Sequence, residues 1–90
     1  MVSERVVVTN KSGIHARPAC ELASVAKQCD SDVVLIVGER VVNPKSILNL
    51  MAAAIHKGME ITVQCDGETE EADLKRILDA IKGGLGEDEY

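Results

Sequence analysis

The sequence predicts an α+β fold, an open-faced two-layer sandwich in which three helices cover one face of a four-stranded, mostly antiparallel sheet. Segments with strand periodicity and segments with helix periodicity follow each other in the order β-α-β-β-α-β-α. The 90 residues have room for one domain with a modest core, which helices packed on a sheet can supply. Hydrophobic residues make up 46% of the chain without any Trp or Phe, so aliphatic side chains must build the core.

The first strand and the first helix are predicted in the N-terminal third of the chain. Residues 4–9 are rich in β-branched side chains, which favour a strand, and the turn formers Asn10 and Gly13 end it. Pro18 suits the first turn of a helix. Apolar residues then recur at helical spacing until residues 29–32 break the pattern: Ala19, Leu22, Ala23 and Ala26.

A hairpin and a second helix are predicted in the middle of the chain. The apolar run 33–37 and the short run 40–42 are joined by residues 38–39, a Gly-Glu pair suited to a hairpin turn. The spacing i, i+3, i+4, i+7 predicts a helix over residues 46–58, with these apolar positions: Ile47, Leu50, Met51 and Ala54. We interpret His56 as a favourable cation near the end of this helix.

The last strand and the last helix have the clearest patterns. Residues 60–65 alternate strictly between apolar and polar, so one face of this strand meets the core and the other meets water. A helical pattern with acidic residues in its first turn and Lys82 before two glycines predicts the third helix: Leu74, Ile77, Leu78 and Ile81. We expect residues 1–90 to form a single domain, in which residues 85–90 are a loose acidic tail.

The charge of the chain disfavours nucleic acid as a partner. Ten basic and fifteen acidic residues give a formal net charge of −5, whereas binding to phosphate backbones uses clustered Lys and Arg. Residues 68–90 hold eight acids and three bases, while residues 1–67 hold seven of each sign. Four bases therefore remain available for a locally positive face that suits an acidic protein or a phosphate: Lys11, Arg17, Lys27 and Lys45.

The sequence lacks the features of a secreted or membrane-inserted protein. Its first residues have neither the charged start nor the apolar run of a signal peptide, and no apolar stretch approaches the roughly 18 residues of a membrane span. The three cysteines contain no C-x-x-C pair, which argues against a disulfide framework or a zinc site: Cys20, Cys29 and Cys65. We therefore expect a cytoplasmic protein without membrane insertion and without a metal.

The segment most suited to chemistry places His15 between a glycine-containing loop and the start of the first helix. The first N–H groups of a helix have no partners within it, and together with the helix dipole they form an anion site. Arg17 adds a positive charge there. A phosphoryl group on His15 would be stabilised by these donors without a metal ion. The alternative is that His15 merely caps the helix and Arg17 is a solvated charge.

Residues 9–19, with the sequence TNKSGIHARPA, closely resemble the active-site segment of the HPr family, the histidine phosphocarriers of the bacterial phosphoenolpyruvate-dependent phosphotransferase system. The resemblance covers nearly the whole chain, since length and element order also match. It implies that enzyme I phosphorylates His15 at Nδ1 and that His15 passes the group to enzyme IIA domains of sugar permeases. It also implies that Arg17 steadies the phosphate, and that the protein is a monomeric carrier without a cofactor rather than a stand-alone enzyme.

A second motif, Lys45-Ser46-Ile47, opens the second helix. Serine is a preferred N-cap, which by itself explains Ser46. In the HPr family, however, a serine in a similar context is the target of a dedicated kinase. The resemblance therefore implies that Ser46 is phosphorylated in carbon catabolite control, with a serine kinase/phosphorylase and a catabolite-control regulator as partners. The phosphate would add negative charge to a docking surface rather than melt the helix.

The second helix has more apolar residues than one face of a short helix can bury, since only Ser46 and Asn49 are polar between residues 46 and 55. Some apolar side chains must therefore be exposed, although a fully buried helix is the alternative. In the HPr family the residues after the serine form an apolar patch beside the histidine that docks partners. The matching residues here are Ile47, Leu48 and Met51.

Three positions depart from the family pattern and concern kinase recognition and partner affinity more than phosphotransfer. Pro44 and Asn49 replace residues common in the family, and Leu48 stands where Phe or Met is usual. Two other functions remain open, namely the nitrogen-regulatory branch of the carrier family and a seryl-phosphorylated corepressor-type binding module. The corepressor type lacks the histidine, so the presence of His15 counts against it.

Overall fold

The computed structural model describes residues 1–86 and has the predicted order of elements. The four strands form one sheet in the order β1-β4-β2-β3, in which all three pairings are antiparallel. The sheet and its three helices confirm the predicted fold class. The elements are β1 (Val2–Val7), α1 (Ala16–Lys27), β2 (Asp32–Val37), β3 (Arg40–Val42), α2 (Ile47–Ala52), β4 (Glu60–Asp66) and α3 (Glu70–Lys82).

The core lies between one face of the sheet and the helices. Ile61, Val63 and Cys65 of β4 are at most 1% exposed, which confirms the alternation predicted for this strand. Cross-strand pairing aligns Val6 with Ile61 and Leu35 with Val63, so that three strands bury aliphatic side chains on the same face. Helices α1 and α3 supply the opposite wall of the core with Leu22, Ala23, Ala26, Ile77 and Ile81.

The first strand begins and ends two residues earlier than predicted. Its position follows from its pairing with β4, in which Val2 lies opposite Cys65 and Val7 lies opposite Glu60. The chain continues to bond beyond β1, because the N–H of Val8 donates to the carbonyl of Met59 (2.9 Å). The β propensity of the residues predicts a strand here, but the pairing with β4 determines the residues at which the strand begins and ends.

The prediction that the second helix reaches Gly58 is wrong. Helix α2 ends at Ala52, and Ala54 adopts a φ of +52° in the left-handed region. The next residue, Ile55, forms an antiparallel β-bridge with Ile14, which a helical Ile55 could not form. Tertiary pairing therefore overrides the helical periodicity of this segment.

The C-terminal end of α3 is ordered further than the predicted tail allows. The N–H of Leu85 donates to the carbonyl of Ala80 (3.2 Å), and the N–H of Gly84 donates to that of Ile81 (3.1 Å). This bonding pattern is a Schellman motif, with Gly84 at a φ of +87°. Leu85 is 3% exposed and belongs to the core, so a loose tail cannot begin at residue 85. The rest of the predicted tail, residues 87–90, lies outside the described residues.

Among residues 1–86, no helix has the combination of length and apolar character that crossing a membrane requires. The longest, α3, has 13 residues, whereas a span needs about 20 apolar ones.

A buried carboxylate joins the start of α3 to the segment before β2. Asp73 is 4% exposed, and its Oδ2 accepts hydrogen bonds from the hydroxyl of Ser31 (2.6 Å), the N–H of Ser31 (3.0 Å) and the hydroxyl of Thr69 (2.7 Å). These donors, above all the Ser31 hydroxyl, hold the pKa of the Asp73 carboxyl below its ordinary value, against the opposing effect of burial. The ionised form of Asp73 therefore stabilises the fold.

We predict that Asp73→Asn lowers the free energy of unfolding by about 1–3 kcal/mol at pH 7, because charge-assisted hydrogen bonds in a buried site are lost. Since the folded pKa is depressed, the contribution is complete above the ordinary Asp value of about 3.9 and disappears as the pH falls through the folded pKa. Urea unfolding at pH 7, 4 and 2.5 should show that the difference in the free energy of unfolding between parent and variant becomes smaller as the pH falls.

The control is Asp79→Asn, because Asp79 is exposed and its Oδ2 lies 3.9 Å from the Nζ of Lys75. Its effect should stay within about 0.5 kcal/mol. If the free energies of unfolding of the parent and of Asp73→Asn differ by the same amount at every pH, the ionised Asp73 carboxylate is not the source of the stability.

We also predict opposite effects for two neighbouring glycine substitutions. Ala54→Gly should raise the free energy of unfolding by about 0.5–1 kcal/mol, because glycine adopts the φ of +52° without the steric cost that alanine has. Ala53→Gly should lower it by a similar amount, since Ala53 has an ordinary helical φ of −73°. Urea unfolding followed by circular dichroism measures both, and a loss of stability in both variants would contradict the prediction.

Candidate functional site

The loop that leads to His15 is stabilised by hydrogen bonds between its own residues. Asn10 is 2% exposed, and its side-chain amide donates a hydrogen bond to the carbonyl of Gly13. In the opposite direction, the N–H of Gly13 donates to the carbonyl of Asn10 (3.1 Å). The turn formers that predicted a loop here therefore also fix its shape, with Gly13 at a φ of +67°.

The same loop packs directly against the segment that follows α2. The N–H of Ile14 donates to the carbonyl of Ile55 (2.9 Å), and both isoleucines are buried in the core. A Cβ at Gly13 would lie 2.9 Å from the Cα of His56 and would overlap the carbonyl of Ile55. Only glycine allows this close approach, so Gly13 is required for more than its positive φ.

His15 is the N-cap residue of α1, with extended backbone at φ −145° and ψ 152°. Within the described chain its ring makes no capping hydrogen bond to the helix, so a side-chain cap does not explain a histidine at this position. Its side chain is exposed. The first N–H groups of α1 have no acceptor within the helix, and Pro18 in the same turn has no N–H. The exposed imidazole therefore stands beside backbone donors that suit an anion.

Ala16, directly after His15, has a φ of +49°. An alanine in this region costs on the order of 1–2 kcal/mol, and such residues concentrate at functional sites. The adjoining Arg17 is exposed at the second position of α1, where its positive charge adds to that of the helix N-terminus.

A groove of about 280 Å³ lies beside His15. It brings Met51, one of the predicted docking residues, together with His15. It also includes His56, whose position in the sequence indicates only a cation near a helix end. The full lining is Ser12, Ile14, His15, Met51, Ala54, Ile55 and His56.

Ser46 is the N-cap of α2, as its position in the sequence predicts. Its Oγ accepts hydrogen bonds from the backbone N–H of Asn49 (3.2 Å) and from the Asn49 side-chain amide (3.4 Å). Ser46 is half-buried and does not line the groove beside His15. The structure therefore gives Ser46 a structural role and places it away from the histidine groove.

Lys45 is not part of the positive face that the sequence predicts, because its ammonium group forms hydrogen bonds with backbone carbonyls. Its Nζ donates to the carbonyls of Cys29 (3.4 Å) and Ser31 (3.3 Å), just beyond the end of α1. These bonds join the start of α2 to the α1–β2 connection.

The three predicted docking residues of α2 have different surroundings. Ile47 is half-buried against the core, whereas Leu48 is 79% exposed and Met51 is 36% exposed. The alternative of a fully buried helix is therefore wrong. Leu48 borders a second depression of about 400 Å³ together with Val41 of β3, which is 66% exposed. The sequence of residues 40–42 predicts a strand but contains no signal that Val41 belongs to an apolar surface.

Neither the buried cysteines nor the potential metal-binding side chains form a second reactive site in the described part of the chain. Cys29 and Cys65 are buried, and burial raises the pKa of the Cys65 thiol to about 11, which keeps it protonated. Residues 1–86 contain no group of three or more His, Cys, Asp or Glu side chains that could hold a metal ion.

Comparison with known proteins gives the family of this chain. The family described as PTS HPr component phosphorylation site matches residues 2–83. The Phosphocarrier protein HPr of Mycoplasma capricolum is 43% identical over 82 residues, which cover 91% of this chain and 88% of the relative.

Solved structures agree with this result. HPr-C-His from Thermoanaerobacter tengcongensis superposes with a TM-score of 0.93 at 29% identity, covering 99% of this chain and all of that one. A histidine-containing phosphocarrier protein from Mycoplasma gives 0.85 at 39% identity, covering 93% of this chain and 97% of the other. The chain therefore belongs to the HPr family of phosphocarrier proteins of the phosphotransferase system.

Proposed function

We propose that His15 of this chain accepts a phosphoryl group from phosphorylated enzyme I and passes it to enzyme IIA domains of sugar permeases. The observation that carries the proposal is the position of His15: an exposed imidazole at the N-terminus of α1 that makes no capping bond within the described residues. An exposed histidine whose ring makes no capping hydrogen bond is available for chemistry.

The proposed transfer is a simple exchange of bonds. The lone pair of a ring nitrogen of His15 attacks phosphorus, and a P–N bond forms while the bond from phosphorus to the donor breaks, with its electron pair returning to the donor. The phosphoryl oxygens then meet the free N–H groups at the start of α1, which favour negative charge without reorganisation. The exposed guanidinium of Arg17 steadies the same group. In the transfer to an enzyme IIA domain His15 is the donor: a nucleophile of that domain attacks phosphorus, and the P–N bond breaks with its electron pair returning to the His15 ring nitrogen.

Docking of both partners is assigned to the apolar side chains of α2. Met51 lines the histidine groove, Leu48 is 79% exposed, and Ile47 is half-buried against the core. An apolar patch beside a reactive group lets a partner exclude water from the transfer site. Since His15 and this patch belong to one chain, we propose that the carrier acts as a monomer. We also propose that it acts in the cytoplasm, the location that its sequence predicts.

We predict that His15→Ala abolishes labelling from phosphoenolpyruvate and enzyme I, because His15 is the proposed acceptor. Mass measurement under alkaline conditions, which preserve phosphohistidine, detects the label. The matched control is His56→Ala, which removes the other histidine of the same groove and should still accept the label.

Label that persists in His15→Ala and disappears in His56→Ala would assign the acceptor to His56 instead. A parent chain that takes no label would favour the corepressor-type binding module.

We further propose that Ser46 is a site of regulatory phosphorylation, with a serine kinase/phosphorylase and a catabolite-control regulator as partners. Its Oγ is held at the start of α2, where a phosphate would face backbone N–H groups rather than disrupt the helix. The same negative charge would lie one residue from Ile47 and two from Leu48, which belong to the proposed docking patch. Repulsion of an acidic partner is therefore the expected mechanism.

We predict that Ser46→Asp weakens binding of enzyme I about twofold to fivefold at low salt, the effect expected of one exposed like charge. The loss should shrink as salt screens the repulsion. Titration calorimetry in about 20 mM and about 500 mM salt measures the affinities, because this roughly 25-fold rise in ionic strength shortens the Debye length about fivefold.

Ser46→Asn is the matched control, because asparagine is also a good N-cap but adds no charge. It should bind enzyme I as the parent does. Equal weakening in Ser46→Asn and Ser46→Asp, or loss of helical circular dichroism in Ser46→Asp alone, would contradict an electrostatic mechanism.

A further inference from the structure

The groove beside His15 contains a second imidazole that the proposed transfer leaves unused. His15 and His56 are both exposed and both line this groove. We propose that His56 is a second phosphate-contacting residue, whose ring donates a hydrogen bond to the phosphoryl group on His15 and so stabilises the phosphorylated form. This inference rests on the proposed function of His15.

The Ile14–Ile55 bridge accounts for the proximity of the two rings. In an antiparallel bridge, the residue after Ile14 lies opposite the residue before Ile55, so His56 is a diagonal neighbour of His15. Diagonal neighbours lie about 7–8 Å apart, within reach of aromatic and long side chains. Because successive side chains of extended backbone alternate in direction, burial of both isoleucines directs both histidines away from the core.

Gly13 lets the His56 backbone approach the loop before α1 closely. It lies opposite His56 across the bridge, and a Cβ at Gly13 would come within 2.9 Å of the His56 Cα. The His56 backbone is also held in place, since its N–H donates to the Met59 sulfur (3.1 Å) and its carbonyl accepts from the Met59 N–H (3.1 Å). The ring of His56 therefore extends from an ordered backbone, and only its side-chain torsions lose freedom when it contacts a phosphate.

The charges around the groove favour an anion as the acceptor of this hydrogen bond. Among its described lining residues, the titratable groups are the two imidazoles, and none is a carboxylate. The charged residues nearest in sequence are Arg17, two positions after His15, and Lys57, directly after His56. A phosphoryl group brings three strong acceptor oxygens into this positive setting. His56 would then act together with the N–H groups of α1 from the other side of the phosphate.

The test is the equilibrium between phosphorylated enzyme I and the carrier. In His56→Ala the equilibrium constant for phosphorylation of His15 should fall about threefold to tenfold, the effect of one lost hydrogen bond to a charged group. His56→Gln retains an N–H donor and should recover part of the loss. Lys57→Ala removes a neighbouring exposed cation and should stay within about twofold of the parent. An unchanged constant in His56→Ala, or an equal loss in Lys57→Ala, would overturn the proposal.

A second measurement needs no substitution. In ¹H–¹⁵N spectra of the imidazole rings, the His56 ring N–H should become slow to exchange with water when the parent chain is phosphorylated. A labelled parent in which this N–H still exchanges freely overturns the inference about His56 alone. A parent that takes no label at all overturns the proposed function and this inference with it.

Discussion

The pairing of Ile14 with Ile55 is the contact on which the functional site depends. It joins the loop before α1 to the segment after α2 by one backbone hydrogen bond and two buried side chains. Through it, an exposed histidine at a helix N-terminus comes to share a groove with Met51 of another helix. The two strained alanines of this region, Ala16 and Ala54, flank the same contact. Backbone strain of this kind persists only where surrounding packing determines the conformation.

Much of the fold could be predicted because its signals are local. The strict alternation of β4 and the helical spacing of α3 each arise from burial of one face, and each is visible within a dozen residues. The positions of His15 and Ser46 at helix starts can be predicted for the same reason, since each precedes a helical pattern. The sequence also indicated that α2 could not bury all its apolar side chains, and the exposure of Leu48 agrees.

The features that could not be predicted are long-range contacts. The end of α2 and the placement of His56 both follow from pairing with a loop some forty positions earlier, for which neither segment contains a signal of its own. Lys45 could be counted as a free charge from the sequence, but its bonds to two carbonyls near the end of α1 exist only in the folded chain. Val41 likewise becomes part of an apolar depression only because β3 lies beside α2.

The order of the strands has a consequence for the behaviour of the protein in concentrated solution. Strands β1 and β3 form the two borders of the sheet, where unpaired N–H and C=O groups can template pairing with another molecule. Strand β3 offers only three residues for such pairing. Strand β1 has exposed charges in its middle, Glu4 near Lys82 (4.0 Å) and Arg5 near Glu60 (3.7 Å). A short edge strand and a charged edge strand both resist pairing with the sheet of another molecule. An open-faced sheet with an aliphatic core can therefore remain dispersed at high concentration.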